Sequence, residues 1–260
     1  MNDERPGKVP AVTLGFWAVK ILATTLGETG GDAVSMSMGL GYGLGSLVFL
    51  ACFAVAIAFQ IRAVAFKPWL YWSTLVATTT VGTTLADLTT RSLGIGYAGG
   101  SALLALMLLL SFVAWSRTLG SIRLEAVNSA RAERYYWWTI MLSQTLGTAL
   151  GDWTADSAGL GYAGAALLFS LLLAAVAACH RWSTISRATL FWTAFVLTRP
   201  LGAVLGDFLD KAAEQGGLEL SRYAASAALL GALICCLLVF PQRAARAHQG
   251  PAPPSRASPR

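Results

Sequence analysis

The chain has 260 residues, 55% of them hydrophobic and only 12% charged, where an average soluble domain is about a quarter charged. That balance excludes a self-standing water-soluble domain. The formal charge of +6 calls for nothing beyond membrane topology and an anionic lipid surface, so no nucleic-acid partner is expected.

Apolar runs long enough to cross a hydrocarbon core of about 30 Å recur along the chain. The predicted spans are Val12–Asp32, Gly43–Ile61, Trp69–Leu88, Ala98–Trp115, Tyr136–Trp153, Ala163–Cys179, Thr189–Leu209 and Tyr223–Phe240. The expected fold class is all-α: a polytopic membrane protein of eight transmembrane helices. Residues 1–11 are read as a cytoplasmic N-terminal segment and 12–240 as the membrane domain. The stretch 241–260, rich in Pro, Ala and Arg, reads as a disordered cytoplasmic tail. The first run has no small-residue cleavage pattern and is expected to be retained.

Only Arg91, Lys211 and Arg222 fall on the side away from the termini; apart from Lys20 and Arg199 inside the spans, all other Lys and Arg lie on the side of the termini. This bias predicts cytoplasmic termini in a bacterial inner membrane. Cys52, Cys179, Cys235 and Cys236 form no C-x-x-C pair, which argues against a zinc ribbon or redox motif.

Four segments align without gaps: FWAVKILATTLGETGGD, YWSTLVATTTVGTTLAD, YWWTIMLSQTLGTALGD and FWTAFVLTRPLGAVLGD. Each begins with an aromatic-Trp pair, and each carries a glycine (Gly27, Gly82, Gly147, Gly202) followed five residues later by an aspartate (Asp32, Asp87, Asp152, Asp207). Copies one and three, and two and four, are 120 residues apart, the pattern of two successive duplications. Each copy is a two-helix unit, at about 12–61, 69–115, 136–179 and 189–240, so the four are expected to run parallel rather than inverted. Trp17, Trp72, Trp137 and Trp192 are expected to form an aromatic belt at the cytoplasmic interface.

Stepping back one turn at a time from each aspartate yields the residues sharing its face. Behind the aspartates come Glu28, Thr83, Thr148 and Ala203, then Thr24, Thr79, Gln144 and Arg199, then Lys20, Leu75, Ile140 and Phe195. Five acids and two bases on this face leave an excess of three negative charges, which suits a cation site. Ligands drawn from Asp, Glu, Thr and Gln oxygens favour a hard divalent ion such as Mn²⁺, Ca²⁺ or Mg²⁺. The expected metal ligands are Asp32, Asp87, Asp152, Asp207 and Glu28. Arg199, Lys20, Gln144, Thr24 and Thr79 are expected to gate the site or balance its charge. A bland alternative pairs Arg199 with an aspartate and Lys20 with Glu28 as ties between helices. Pro200 should bend the seventh helix.

His180 and His248 both lie outside this face, and no G-x-S-x-G, H-E-x-x-H or Walker sequence is present, so no enzyme and no bound cofactor is expected. The strings KVPAVTLGFWAVKILATTLGETGGDAVSMSMGLG and LTRPLGAVLGDFLDKAAEQGGLELS resemble a family of bacterial membrane-anchored repeat proteins without assigned function, over about Lys8 to Phe240. That resemblance implies a fold and no chemistry. GETGGD is similar to the E-x-G-D signature of calcium and manganese exporters, with an extra glycine and without the basic residue that follows it there. The expected function is a secondary transporter, an exporter or exchanger of a divalent cation, with protons exchanging on the carboxylates. The alternatives are a structural or interaction membrane protein and a transporter of small organic ions. The ion, the direction of transport and the oligomeric state are open at this level.

Overall fold

A computed structural model describes residues 7–245. Eight long helices make up the bundle: α1 Leu14–Asp32, α2 Gly41–Arg62, α3 Pro68–Asp87, α4 Gly96–Leu119, α5 Ala130–Asp152, α6 Gly161–Trp182, α7 Arg187–Asp210 and α8 Arg222–Val239. Local chemistry starts several of them. Thr13, Ser129 and Ser186 accept the backbone N–H three residues on, at 3.1–3.2 Å, and Pro68 opens α3 where its missing N–H costs nothing.

The odd-numbered helices form a closed ring, α1 on α3, α3 on α5, α5 on α7 and α7 back on α1. The even helices lie outside it. Each packs chiefly on the odd helix of the next copy, α2 on α3, α4 on α5, α6 on α7 and α8 on α1. Every repeat is thereby clasped by the one before it, and the last closes on the first.

The motif glycines set the register of the ring. A Cβ on Gly27 would collide with Thr79, on Gly82 with Gln144, on Gly147 with Arg199 and on Gly202 with Thr24. One turn further along, Gly31 meets Thr83, Gly151 meets Ala203 and Gly206 meets Glu28. Advancing four residues on one helix advances four on its neighbour, so the ring helices run parallel and in register. Glycine is required because the backbones touch there.

The polarity is inside out. Thr24, Thr78, Thr79, Thr83, Thr84, Thr139 and Thr148 are buried, while Leu47, Leu109, Leu167, Leu171 and Leu238 on the outer helices are exposed. Buried threonines survive in such a core by returning their hydroxyls to carbonyls of their own helix, as Thr78 does to Leu75 at 2.6 Å and Thr145 to Met141 at 3.0 Å. Five helices, α2, α4, α6, α7 and α8, are long and apolar enough to cross a membrane. The chain is a membrane protein by that measure. Helices α1, α3 and α5, which line the polar axis together with α7, fall outside that measure.

Three expectations need correcting. The helices do not stop at the aspartates: after Asp32, Asp87 and Asp152 the chain makes one wide turn closed by bonds five residues apart, Met38 N–H to Ala33 O, Leu93 to Leu88 and Ala158 to Trp153, at 2.8–2.9 Å. Only then do paired glycines with positive φ, such as Gly39 and Gly41 at 71°, redirect the chain, a conformation that costs another residue roughly 1–2 kcal/mol. Second, Trp72, Trp137 and Trp192 are buried rather than belted in the interface. Trp192 stacks edge-on against Trp115 and Phe195, and Trp72 against Tyr71, because the repeats converge here on a shared core. Third, Pro241–Ala245 are ordered chain, not tail. Ala11 N–H bonds Arg243 O and Ala245 N–H bonds Val9 O, both at 2.8 Å, and Gln242 Oε1 accepts from Trp72 Nε1 at 3.0 Å. The remainder of the expected tail, 246–260, lies outside the described residues.

Candidate functional site

The four layers read from the sequence lie on the ring's inner face, with no residue in them more than 3% exposed. At the terminal end the axis is shut. Phe16, Tyr71, Tyr136 and Phe191 precede the first layer by one turn, and the Tyr71 and Tyr136 hydroxyls share a 2.6 Å bond across the bundle. Below them Lys8 inserts from the N-terminal segment, 2.7 Å from Glu133 Oε1 and donating to Ile61 O at 3.0 Å.

In the innermost layer Lys20 meets no carboxylate among the described residues. Its ammonium donates to Thr198 Oγ1 at 2.6 Å and Phe195 O at 3.1 Å, and stands 3.9 Å over the Phe195 ring. The expected Lys20–Glu28 tie is therefore absent, because two turns of helix separate them and Arg199 takes Glu28 instead.

Arg199 spans the axis from α7 and touches the other three ring helices. It donates to Thr24 O on α1 at 3.2 Å, to Thr83 Oγ1 on α3 at 2.7 Å and to Thr148 Oγ1 on α5 at 2.5 Å, and it pairs with Glu28 Oε2 at 2.9 Å. Glu28 Oε2 also accepts from Thr83 and Thr148, each at 3.3 Å. A guanidinium fork suits this role, since several fixed donors meet acceptors from several helices. Thr79 contributes through its carbonyl, 3.4 Å from Arg199. Gln144 lies in the same layer with both amide atoms buried and unpartnered, as is Arg199 Nε.

Above Glu28 the four motif aspartates are all buried, but not as free anions. Arg91 lies with Nε 2.9 Å from Asp87 Oδ1, a charge contact without hydrogen-bond alignment, and with Nη2 3.2 Å from Asp152 Oδ2. Lys211 Nζ lies 2.9 Å from Asp32 Oδ2 and 3.0 Å from Asp207 Oδ1. Arg222 adds a bond to Asp210 at 3.2 Å. Burial opposes the Lys211 charge, but Asp207 and Asp32 outweigh it and hold the ammonium well above the ordinary lysine range.

The expected charge excess is corrected accordingly. Adding Arg91 and Lys211 to the five acids and two bases leaves one negative charge rather than three. The sequence reading counted these two cations only toward topology, although a signal was present: each follows its motif aspartate by four residues, one helical turn. That inward reach depends on the chain staying helical past the aspartate.

The acids nonetheless converge. One oxygen from each of Glu28, Asp152 and Asp207 lies within 4.8 Å of the others, as does one from each of Asp32, Asp207 and Asp210. Asp210 was not among the expected ligands. Asp87 stands apart from both groups, held to Arg91. Asp32 Oδ1, Asp152 Oδ1 and Asp210 Oδ1 are buried with no hydrogen-bond partner among the described residues, a costly condition that a hard cation would relieve.

No curated protein matches the chain. No solved structure matches it either. A family of repeats does match, in four copies at residues 15–65, 70–121, 135–186 and 190–244, each copy containing one ring helix and the outer helix that follows it. These copies cover most of the sequence, and the chain belongs to the family described as Repeat of Unknown Function (DUF347).

Proposed function

We propose that all eight helices cross a bacterial inner membrane with both termini cytoplasmic, and that the protein is a secondary transporter, an exporter or exchanger, of a divalent cation such as Mn²⁺ along the repeat axis. The convergence of the Glu28, Asp152 and Asp207 carboxylates on one point between three parallel helices carries this reading. Ionisable groups inside a bilayer are costly, and those that persist line pathways or pair with one another. Here they do both. Helices α1, α3 and α5 are the least apolar by composition, yet the outer helices and α7 shield them from lipid, so a crossing bundle of eight is consistent with the exposed leucines.

In this reading the described state is closed. Arg91 and Lys211 are tethered cations that hold the aspartates when no substrate is present, and the aromatic layer seals the opposite end. A divalent ion reaching the aspartates from the terminal end, once the aromatic layer opens, competes with Arg91 and Lys211 for the same oxygens and leaves on their side. Thr83 and Thr148, released from Arg199, would supply neutral oxygens beneath. Protonation of the carboxylates would discharge the ion, and the transmembrane proton gradient would drive exchange.

The test is Mn²⁺ flux into proteoliposomes, with Asp152→Asn and Asp207→Asn beside the natural chain. Both variants should abolish flux while still reaching the membrane. Undiminished flux in either, or none from the natural chain, overturns the transport reading. A second reading has its own support in the pairing of every motif aspartate with a cation: the axis would then be a polar lock in a structural or interaction protein. That reading expects the same substitutions to destabilise the bundle and to leave cellular metal content unchanged.

A further inference from the structure

Among the connections at the terminal end, one breaks the pseudo-fourfold pattern. The α4–α5 connection, 120–129, is longer than 63–67 between α2 and α3 or 183–186 between α6 and α7. It folds under the bundle at the terminal end, with Leu124 and Val127 buried and Ile122 O accepting from Trp192 Nε1 at 3.0 Å. Beside it, between α1, α6 and α7, opens a cleft of about 1220 Å³. That exceeds the roughly 300–1,000 Å³ of a pocket for a drug-sized ligand.

The cleft is divided by chemistry. Its walls are apolar and aromatic, from Trp17, Ile21, Leu173, Val176, Leu190 and Phe191, and Leu14 at its edge is almost fully exposed. Its rim carries Arg123 and Arg187, with His180 and a single acid, Glu125. Arg187 is held in place by contacts of 2.6–2.8 Å to the His180 ring nitrogens and by donating to His180 O at 3.0 Å. A basic rim over an apolar slot, at the end where the positive-inside bias places the cytoplasm, matches one class of ligand. The chain's own C-terminal stretch, with Arg246, Arg256 and Arg260, has the wrong sign for this rim.

We infer that the cleft is a binding site for an anionic glycerophospholipid, its acyl chains along Trp17 and Leu173 and its phosphate between Arg123 and Arg187. The site rests on the membrane reading and not on transport. Occupancy would wedge the connection 120–129 against α7, the helix that carries Arg199.

The experiment is native mass spectrometry of the detergent-purified full chain with added phosphatidylglycerol or phosphatidylcholine, using the natural chain, Arg123→Ala with Arg187→Ala, and Ala177→Trp. Both arginines are exposed, and thermal melting checks that each variant is folded. Phosphatidylglycerol should be retained over phosphatidylcholine. Its affinity should fall about thirtyfold in the double arginine variant, and Ala177→Trp should block it by filling the slot. Inorganic phosphate in excess should not displace it. Equal retention of the two lipids, retention unchanged by either variant, or displacement by phosphate alone would each overturn the site.

Discussion

Arg91 and Lys211, 120 residues apart in the chain, play the same part on opposite sides of the axis. Each lies one turn beyond the aspartate of its own copy and bridges it to the aspartate of the next, Arg91 from Asp87 to Asp152 and Lys211 from Asp207 to Asp32. Copies one and three have Met36 and Asp156 at that register. The fourfold ring of glycines is thus overlaid by a twofold arrangement of charge, as expected if a two-copy unit with one cation was itself doubled.

Removing one tether should separate the two readings of the axis. Losing one partner of a buried ion pair costs about 3–5 kcal/mol, so Lys211→Ala should lower the melting temperature in detergent. If Lys211 stands where a substrate cation binds, added Mn²⁺ should restore much of the loss, and Mg²⁺ or Ca²⁺ part of it. A destabilised variant indifferent to all three metals speaks for the polar lock.

The pH dependence of that loss is also determined. The Lys211 pKa is raised in the folded chain, so its stabilisation is fully present below the unfolded value of about 10.4 and fades only as pH climbs through the higher folded value. The melting difference between the natural chain and Lys211→Ala should therefore be flat, as far as Lys211 is concerned, from about pH 7 to about pH 9. A difference that shrinks across that window would mean the ammonium deprotonates early and that the ion pairs with Asp32 and Asp207 are weak.

Arg199 and Glu28 should behave as one unit. Arg199→Ala leaves Glu28 buried without a cation and should cost about 3–5 kcal/mol. Arg199→Lys should rescue little, because a point charge cannot reach Thr24 O, Thr83, Thr148 and Glu28 together. Adding Glu28→Ala to Arg199→Ala should make the protein more stable than the single arginine variant. A double-mutant cycle in chemical denaturation with no coupling beyond about 0.5 kcal/mol would contradict this.

Two kinds of glycine should respond differently. Gly202→Val drives a branched side chain into Thr24 at the α7–α1 contact and should prevent accumulation of folded protein. Gly39→Ala has open space around it but a φ of 71°, so its cost is only the backbone's, roughly 1–2 kcal/mol. Comparing membrane yield and melting temperature of the two tests whether the ring contact or the turn is the more demanding feature.

Much of this was readable in one dimension. The glycine and aspartate registers, the copies and the layered inner face follow from spacing alone, because a helix converts a period of three to four residues into a face whatever surrounds it. Repetition then implies a shared axis, since copies in one orientation can all turn that face to a common centre. Arg199 and Gln144 were visible as odd members of a layer otherwise made of threonine.

What spacing could not decide is which charge meets which. Glu28 pairs with Arg199 and not with Lys20; Arg91 and Lys211 leave the apparent loop to cover the aspartates; Pro241–Ala245 close against Val9–Ala11. Each outcome depends on distances between helices remote in the chain. Long side chains such as Arg and Lys reach across several ångströms with little preference of their own. Only the packed ring, with backbones brought into contact at Gly27, Gly82, Gly147 and Gly202, limits that reach to one set of partners.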